Sequence, residues 1–480
     1  MGDDTLAETA VKTKTRGVMS PSGSIIDVLI AQTGLLMWKR WCEITARRWS
    51  YFVLLLQPLL VFSLMDLLYY KIAFFLPGGI EEFLVPLGFL GYLQMIVVLF
   101  SVEKCNKLQE SMKMMGMLEL PYFSAYFLVD GFIVGFVISL LSSLISLYGL
   151  FNDAPFGTIF GLLLVYCLSV VPFAYSISTL FDSAQSASQA GIFSCFIFYV
   201  IYLVVDIKGN SGNQGVACLF PPLALQIASG SFKKSYTGIS ASGCCGMLVF
   251  DVFLWSVIGW YLNQVVPSQF GTKLPWHFPF HSAYWFPVTA NDDSSTVFNA
   301  IGLSNSLIDK QEIESANAPA IPSEAPNETL LGKPTVTVSK LKKTYGETTV
   351  VNEITFNMYE NQIFALLGHN GAGKTTTISM LSGLIDSDYK GGNATVYGNS
   401  IVTSMMQVRN SLGVCPQHDV LFENLTVEQH ILLFGRLKGQ SYSQCQDEVS
   451  YLAKLFRLDE RLHHTGMMRC FCYFLLAYYR

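Results

Sequence analysis

Apolar residues gather into six long runs over the first half of the chain; in the second half they break into short pieces between polar turns. The runs cover approximately residues 51–68, 83–101, 122–147, 157–180, 191–205 and 247–265. A bilayer core of about 30 Å asks for roughly 20 such residues in a helix, so each run predicts a membrane span. The fifth is short and takes in Ala187 and Ala190 at its start. Ahead of the first run, residues 30–49 mix apolar positions with Lys39, Arg40, Arg47 and Arg48. That pattern predicts an interfacial helix whose basic side chains meet anionic headgroups.

Composition agrees with the pattern. Of the 480 residues only 14% are charged, against about 25% in an ordinary soluble domain. A net charge of −5 is too small to argue for a nucleic-acid partner. No apolar run in the first fifty residues has the length of a cleavable leader, so targeting falls to the first span. The eleven cysteines show no paired spacing of a metal site, and Cys470 and Cys472 read as incidental.

Basic residues set the orientation. With the N-terminus in the cytosol, the inner segments before the sixth span hold Lys12, Lys14, Arg16, Lys39, Arg40, Arg47, Arg48, Lys104, Lys107 and Lys113. The outer ones hold Lys71, Lys208, Lys233 and Lys234. Six spans return the chain to the cytosol. Between the second and third, Leu108, Met112 and Met115 share a helical face, and Glu103–Lys107 is an i,i+4 pair. Residues 103–119 therefore read either as a cytosolic coupling helix or as a connector lying on the membrane.

The outer segment 206–246 contains an apolar piece, 218–228, with Pro221 and Pro222, which suits a re-entrant helix pair. Cys218, Cys244 and Cys245 face the oxidising side there; a disulfide and free buried thiols both fit. Asp66, Asp130 and Asp251 fall in or near spans, where a carboxylate is costly. The spans offer them no basic partner, which leaves structural hydrogen bonding, a position near the interface, or proton and substrate roles.

Residues 287–333 are rich in Ser, Asn, Ala, Pro and acids and predict a linker. The sequons at Asn327, Asn393 and Asn424 lie on the predicted cytosolic side and are expected to stay unused. The domain reading is 1–50 for the N-terminus and interfacial helix, and 51–265 for the membrane domain with its 103–119 helix. The connector follows at 266–333, a nucleotide-binding portion at 334–466 and an atypical apolar tail at 467–480.

The sharpest chemical signal is Gly368-His369-Asn370-Gly371-Ala372-Gly373-Lys374-Thr375, a P-loop pattern. Residues 363–367 form an apolar run expected as a strand buried on both faces, and 376–384 read as the following helix. Glycines let backbone N–H groups turn inward around phosphate oxygens at a helix N-terminus. Lys374 supplies a point charge for the β and γ phosphates, and the Thr375 hydroxyl is a ligand for Mg²⁺. Downstream, Thr426 and Gln429 form a capping box for a helix with Val427, Ile431 and Phe434 on one face.

From Leu35 to Gly439 the chain resembles the ABC transporters, and within them subfamily A, the lipid-exporter branch. The resemblance rests on Glu103, Met112-Lys-Met-Met-Gly116, Phe250-Asp251 and the aromatic run from Pro275 to Phe286 in the membrane half. In the other half it rests on the P-loop, Gly413-Val-Cys-Pro-Gln417 and Leu425-Thr-Val-Glu428. The membrane domain precedes the nucleotide domain, as in subfamily A and unlike subfamily G. The resemblance implies a membrane α-helical fold, a six-span ABC exporter-type domain, plus a partial α/β P-loop NTPase domain. It implies that Tyr345 stacks on adenine, that Gly368 to Thr376 hold the phosphates, and that Gln417 contacts Mg²⁺ or the attacking water. ATP and Mg²⁺ are then the cofactors, Lys374 and Gln417 the catalytic candidates, and Thr375 and Gln417 the metal ligands.

The family pattern also has parts with no counterpart after Gln417: the LSGGQ signature, the Asp-Glu at the end of an apolar strand, and the switch histidine. Leu381-Ser382-Gly383 begins like the signature but belongs to the helix after the P-loop, and Asp459-Glu460 has no buried strand before it. The resemblance implies lipids as substrate and a second transporter half as partner, a second copy or a C-terminal continuation. The nucleotide domain is expected to be cut short, with little turnover by itself. A catalytically inactive regulator of a full-length transporter and a nucleotide-gated channel remain as alternatives.

Overall fold

The computed structural model describes residues 25–72, 85–146, 155–204, 211–232, 239–266, 276–280, 332–345, 348–385, 387–388, 392–414, 421–456 and 462–464. Gln417, the 287–331 part of the linker and the 467–480 tail lie outside them. The described residues fall into two compact units, one drawn from Met1–Val266 and Gly413–Arg480, the other from Pro267–Leu412.

In the first unit, α1 (Ile25–Ala46) leads into α2 (Arg48–Ile72), followed by α3 (Leu90–Cys105) and a short α4 (Leu108–Met114). The third apolar run is one continuous helix in three parts: α5 (Glu119–Tyr126), a π-helix (Phe127–Val134) and α6 (Gly135–Ser146). Then come α7 (Phe156–Thr179), α8 (Ala184–Val204), α9 (Ser211–Ala217), α10 (Pro221–Ser231) and α11 (Ala241–Val265). A helix stands at each of the six predicted runs. Among the described residues, four helical stretches are long and apolar enough to cross a membrane: 119–145, 156–179, 184–202 and 241–265.

The tightest seam joins α7 to α11. At Gly259 a Cβ would lie 2.7 Å from Tyr175 Cδ1, so the absence of a side chain lets the backbones approach. The Ser176 hydroxyl crosses the seam to the carbonyl of Trp255 at 3.1 Å. Small residues and side-chain hydroxyls hold helices together in this way where lipid is as apolar as leucine. Pro221 opens α10 at its first position, where its missing N–H costs nothing; the piece expected as a helix pair, 218–228, is a turn and this one helix, with α9 before it.

Three expectations about charge change. Lys39 and Arg40 do not meet headgroups: both are buried. Asp130, expected to lack a basic partner, is gripped by Arg40, with Nε to Oδ2 at 2.8 Å and Nη2 to Oδ1 at 2.9 Å. The partner comes from α1 rather than from within the spans, 90 residues away in sequence. Glu103 does not pair with Lys107 but bonds Lys39, Tyr122 and Tyr126. A buried carboxylate needs partners that stay dry, and an i,i+4 lysine on a surface turn cannot be one. Lys107 has left-handed φ of 58°, which stops α3, so residues 103–119 form a helix end, a turn and the seven-residue α4 rather than one helix. Leu108, Met112 and Met115 do share a buried face.

The second unit holds β1 (Val336–Tyr345), β2 (Thr348–Met358), α12 (Lys374–Leu381), β3 (Asn393–Val396), β4 (Asn399–Ser400) and α13 (Met405–Ser411). Its sheet runs β2-β1-β3-β4 with antiparallel pairs. Val338, Leu341, Val351, Met380, Ala394 and Val396 form its core. The strand expected at 363–367 is not formed: Ile363 is 101% exposed and Leu367 87%. A doubly buried strand needs a ladder on each side, and the described residues supply none for this segment. Phe364 stacks instead on Phe356 of β2, 5.2 Å away.

The chain rejoins the first unit with α14 (Val427–Leu437) and α15 (Tyr442–Phe456). The capping box is present: Thr426 accepts from Gln429 N–H at 3.2 Å while Gln429 accepts from Thr426 N–H at 2.9 Å. Val427, Ile431 and Phe434 are buried. The helix lies against α1, where Lys39 Nζ sits 4.1 Å from the Phe422 ring centre and Gln429 Nε2 donates to Cys42 Sγ at 3.4 Å.

His430 gives this joint a pH limit. Its Nε2 accepts from Phe422 N–H at 3.0 Å and its Nδ1 donates to the Thr426 carbonyl at 2.8 Å, so the ring must be neutral. Burial, helped by Lys39, pushes its pKa down to about 4. A histidine depressed in the folded state favours unfolding once the unfolded ring protonates near 6.5. Stability is expected to be full above that pH and to fall progressively from 6.5 toward 4, by roughly 3 kcal/mol at the end. Unfolding midpoints across this range, compared with His430→Gln, check it; parallel pH curves for the two proteins would refute it.

Candidate functional site

The site is built on one end of the β1–β2 hairpin. Gly373 closes the P-loop at the N-cap of α12 with φ of 84°, a left-handed conformation that favours glycine. A Cβ there would stand 2.7 Å from the Val350 carbonyl oxygen, so β2 is the wall against which the loop turns. Gly371 also has positive φ, 86°. These two glycines turn the chain so that α12 begins at Lys374 itself.

Lys374 folds back over the loop, donating to the carbonyls of Gly368 at 2.7 Å and His369 at 2.8 Å. Ala372 N–H closes the turn onto the His369 carbonyl at 3.2 Å, and His369 Nδ1 lies 2.9 Å from the Asn370 carbonyl. Thr377 anchors the helix start through its hydroxyl to the Gly373 carbonyl at 3.0 Å. Residues 368–372 and Thr375 are exposed, and Thr376 is half-buried. An open loop of this shape, with a lysine across it and a hydroxyl in the first helical turn, fits a polyphosphate carrying Mg²⁺.

Tyr345 ends β1 opposite Thr348, and Val351 stands opposite Lys343 in the same ladder. Val350, the Gly373 wall, is two residues of β2 from Tyr345's partner Thr348, about 7 Å of strand. The ring is half-exposed, with Lys343 Nζ 5.6 Å from its centre. Tyr345 and the P-loop thus share one end of the sheet, with an open aromatic face. Sequence reading missed Val350, Val351 and Thr377 as supports, because nothing in the P-loop spacing names the strand that backs it. Gln417 lies outside the described residues.

The first unit holds a second dense set of polar groups, the buried cluster of Lys39, Arg40, Glu43, Glu103 and Asp130. Tyr51 accepts from Arg40, and Tyr92 donates to the Asp130 carbonyl at 2.8 Å. The nearby pairs Lys39–Glu43 and Arg40–Glu43 complete it. Two bases face three acids there, and each ion touches an opposite charge away from water, which makes it a structural joint rather than a reactive centre. Among the described residues no group of acids, histidines and cysteines could hold a metal ion.

A family model described as ABC transporter matches residues 351–469, and one described as ABC-2 family transporter protein matches residues 68–261. ABC transporter A family member 2 of Dictyostelium discoideum is 33% identical over 391 residues, 75% of this chain and 22% of that protein. The phospholipid-transporting ATPase ABCA3 of Mus musculus is 31% identical over the same shares. The chain therefore spans about a fifth of the length of these relatives. A bacterial Atm1-family ABC exporter with ATP bound aligns over 90% of this chain and 84% of its own at 15% identity, with a TM-score of 0.30, too low to bear on the fold.

Proposed function

This chain belongs to the ABC transporters, in subfamily A, and on that premise we propose that it is the ATP-binding half of a transporter that couples ATP binding and hydrolysis to lipid movement across a membrane. One observation carries the reading: an open P-loop, turned by two left-handed glycines against β2, with Lys374 lying across it. Tyr345 would stack on the adenine, and Gly368, His369, Asn370, Gly371, Ala372, Gly373 and Thr376 would surround the phosphates. Lys374 would exchange its two carbonyl partners for the β and γ phosphate oxygens. Thr375 and Gln417 would hold Mg²⁺, which when bound offsets phosphate charge. Gln417 would also orient the attacking water.

A lipid cargo is supported by the relatives, of which the mouse protein is named as phospholipid-transporting. The N-terminus and the nucleotide unit are cytosolic in this reading, supported by the excess of lysine and arginine in the alternate loops. Residues 103–119 would pass the motor's movement to the membrane helices, and a second transporter half would complete the site. The test is labelled-ATP binding and phosphate release by the purified chain in lipid, with and without Mg²⁺. Mg²⁺-dependent binding is expected. Failure to bind ATP would remove the proposal.

A further inference from the structure

Asp251 lies near the middle of α11, on the buried face that it shares with Cys244, Leu248 and Gly259. The residue is 0% exposed. Neither carboxyl oxygen has a hydrogen-bond partner among the described residues.

Among the described residues the surroundings offer no counter-charge. Among the described residues the elements packed around this part of α11 are α7, α10 and the turn before α10; α5 is reached only at the far end, where Gln264 donates to Glu119 at 2.6 Å, about 20 Å along the helix from Asp251. No acid or base occurs in α7, whose titratable side chains are Tyr166, Cys167 and Tyr175; α10 contains no titratable side chain. The turn contributes Cys218, buried and within electrostatic reach of Asp251. Besides Asp251, α11 carries only Cys244, Cys245 and Tyr261. Thiols and phenols are ordinarily neutral at physiological pH, so none of these balances a carboxylate. Asp130 shows the other solution, since equal burial there is matched by a two-point grip from Arg40. An ionised carboxylate with neither charge nor donor in a dry site costs far more than the proton that would neutralise it.

We propose that Asp251 is a proton-binding site of the membrane unit: its carboxyl is carried protonated while α7, α10 and the Cys218–Phe220 turn cover it, and gives its proton to water when they part from α11. The products of that step are the carboxylate and hydronium. A proton fits where a larger cation does not, because packed rings and thiols surround the position. Trp255, one turn on, is wedged between Phe173 at 4.8 Å and Phe220 at 5.8 Å, and its Nε1 is tied to the Leu219 carbonyl at 3.0 Å. One turn of α11 in the other direction leads through Leu248 toward Cys244, both buried. Separation of these elements is therefore the event that wets the carboxyl. Low pH favours the packed arrangement, and rising pH favours the separated one. The inference needs only the α7–α10–α11 contact and is independent of nucleotide binding.

Infrared difference spectra of the purified chain in lipid nanodiscs, wild type minus Asp251→Asn at neutral pH, test this. The expected result is loss of one protonated-carboxyl carbonyl band with the carboxylate bands unmoved. An unfolding midpoint close to wild type should accompany it, since the amide keeps both shape and neutrality. If Asp251→Asn does not accumulate, Asp251→Glu serves, and the same band should shift rather than vanish. Loss of a carboxylate band, or no change in the protonated-carboxyl region, overturns the proposal. Lys374→Ala, which touches only the nucleotide site, should leave the band in place.

Discussion

Asp130→Ala is expected to destabilise the membrane unit by about 3–5 kcal/mol, the usual cost of leaving one ion of a buried pair without its partner. Arg40 is 1% exposed, so water cannot take over from the lost carboxylate. Glu43 and the hydroxyl of Tyr51 still face the guanidinium, which keeps the loss from growing further. The Asp130 carbonyl has its own tie, to Tyr92, so the change removes the ion pair without freeing the π-helix backbone. The pair itself need not be a net source of stability, because desolvating two ions offsets most of their attraction. Replacing both, as Arg40→Met with Asp130→Leu, is therefore expected to recover most of the loss. Thermal unfolding of the two single variants and the double in lipid measures the coupling. Simple additivity of the single losses would mean that the two residues act separately.

Lys374→Ala is expected to weaken ATP binding by one to two orders of magnitude. A hydrogen bond to a charged group contributes about 1.5–3 kcal/mol, and each 1.4 kcal/mol is tenfold in affinity. The fold should tolerate the change, since Lys374 is only half-buried and its two partners are carbonyls of an exposed loop. Lys374→Arg is expected to recover little, because a planar guanidinium cannot replace a compact ammonium over the loop. Titration with a fluorescent ATP analogue, alongside unfolding midpoints, separates lost binding from lost structure. A change of less than about threefold in affinity would show that Lys374 does not face the phosphates.

Features coded by neighbouring residues were legible in the sequence. The P-loop, the capping box at Thr426 and Gln429, and helices at the six apolar runs depend on spacings of a few residues, which periodicity and motif reading capture. What was not legible depends on residues brought together from afar. The Arg40–Asp130 grip joins positions 90 apart, and Lys39–Glu103 joins positions 64 apart. Read locally, the four basic residues at 39–48 looked alike. Only packing separates buried Lys39 and Arg40 from the more exposed Arg47 and Arg48. The apolar run at 363–367 failed for a related reason: strand propensity marks a segment able to pair, while pairing itself depends on which neighbours exist. The π-helix at Phe127–Val134 gave no signal, since its residues are those of any apolar helix.

The joint between α1 and α14 also has a consequence in time. Cys42 and Gln429, which meet there, are 387 residues apart. At synthesis rates of about 5–20 residues per second, α1 would wait roughly 20–80 s for the helix that covers it. Through that interval the Lys39 face of α1 has no Phe422 ring to lie on. Helix α1 is thus completed long after it is made, by a segment that follows the nucleotide site in the chain. Quality control acting on such a chain would see a lesion in α14 as an unfinished membrane domain.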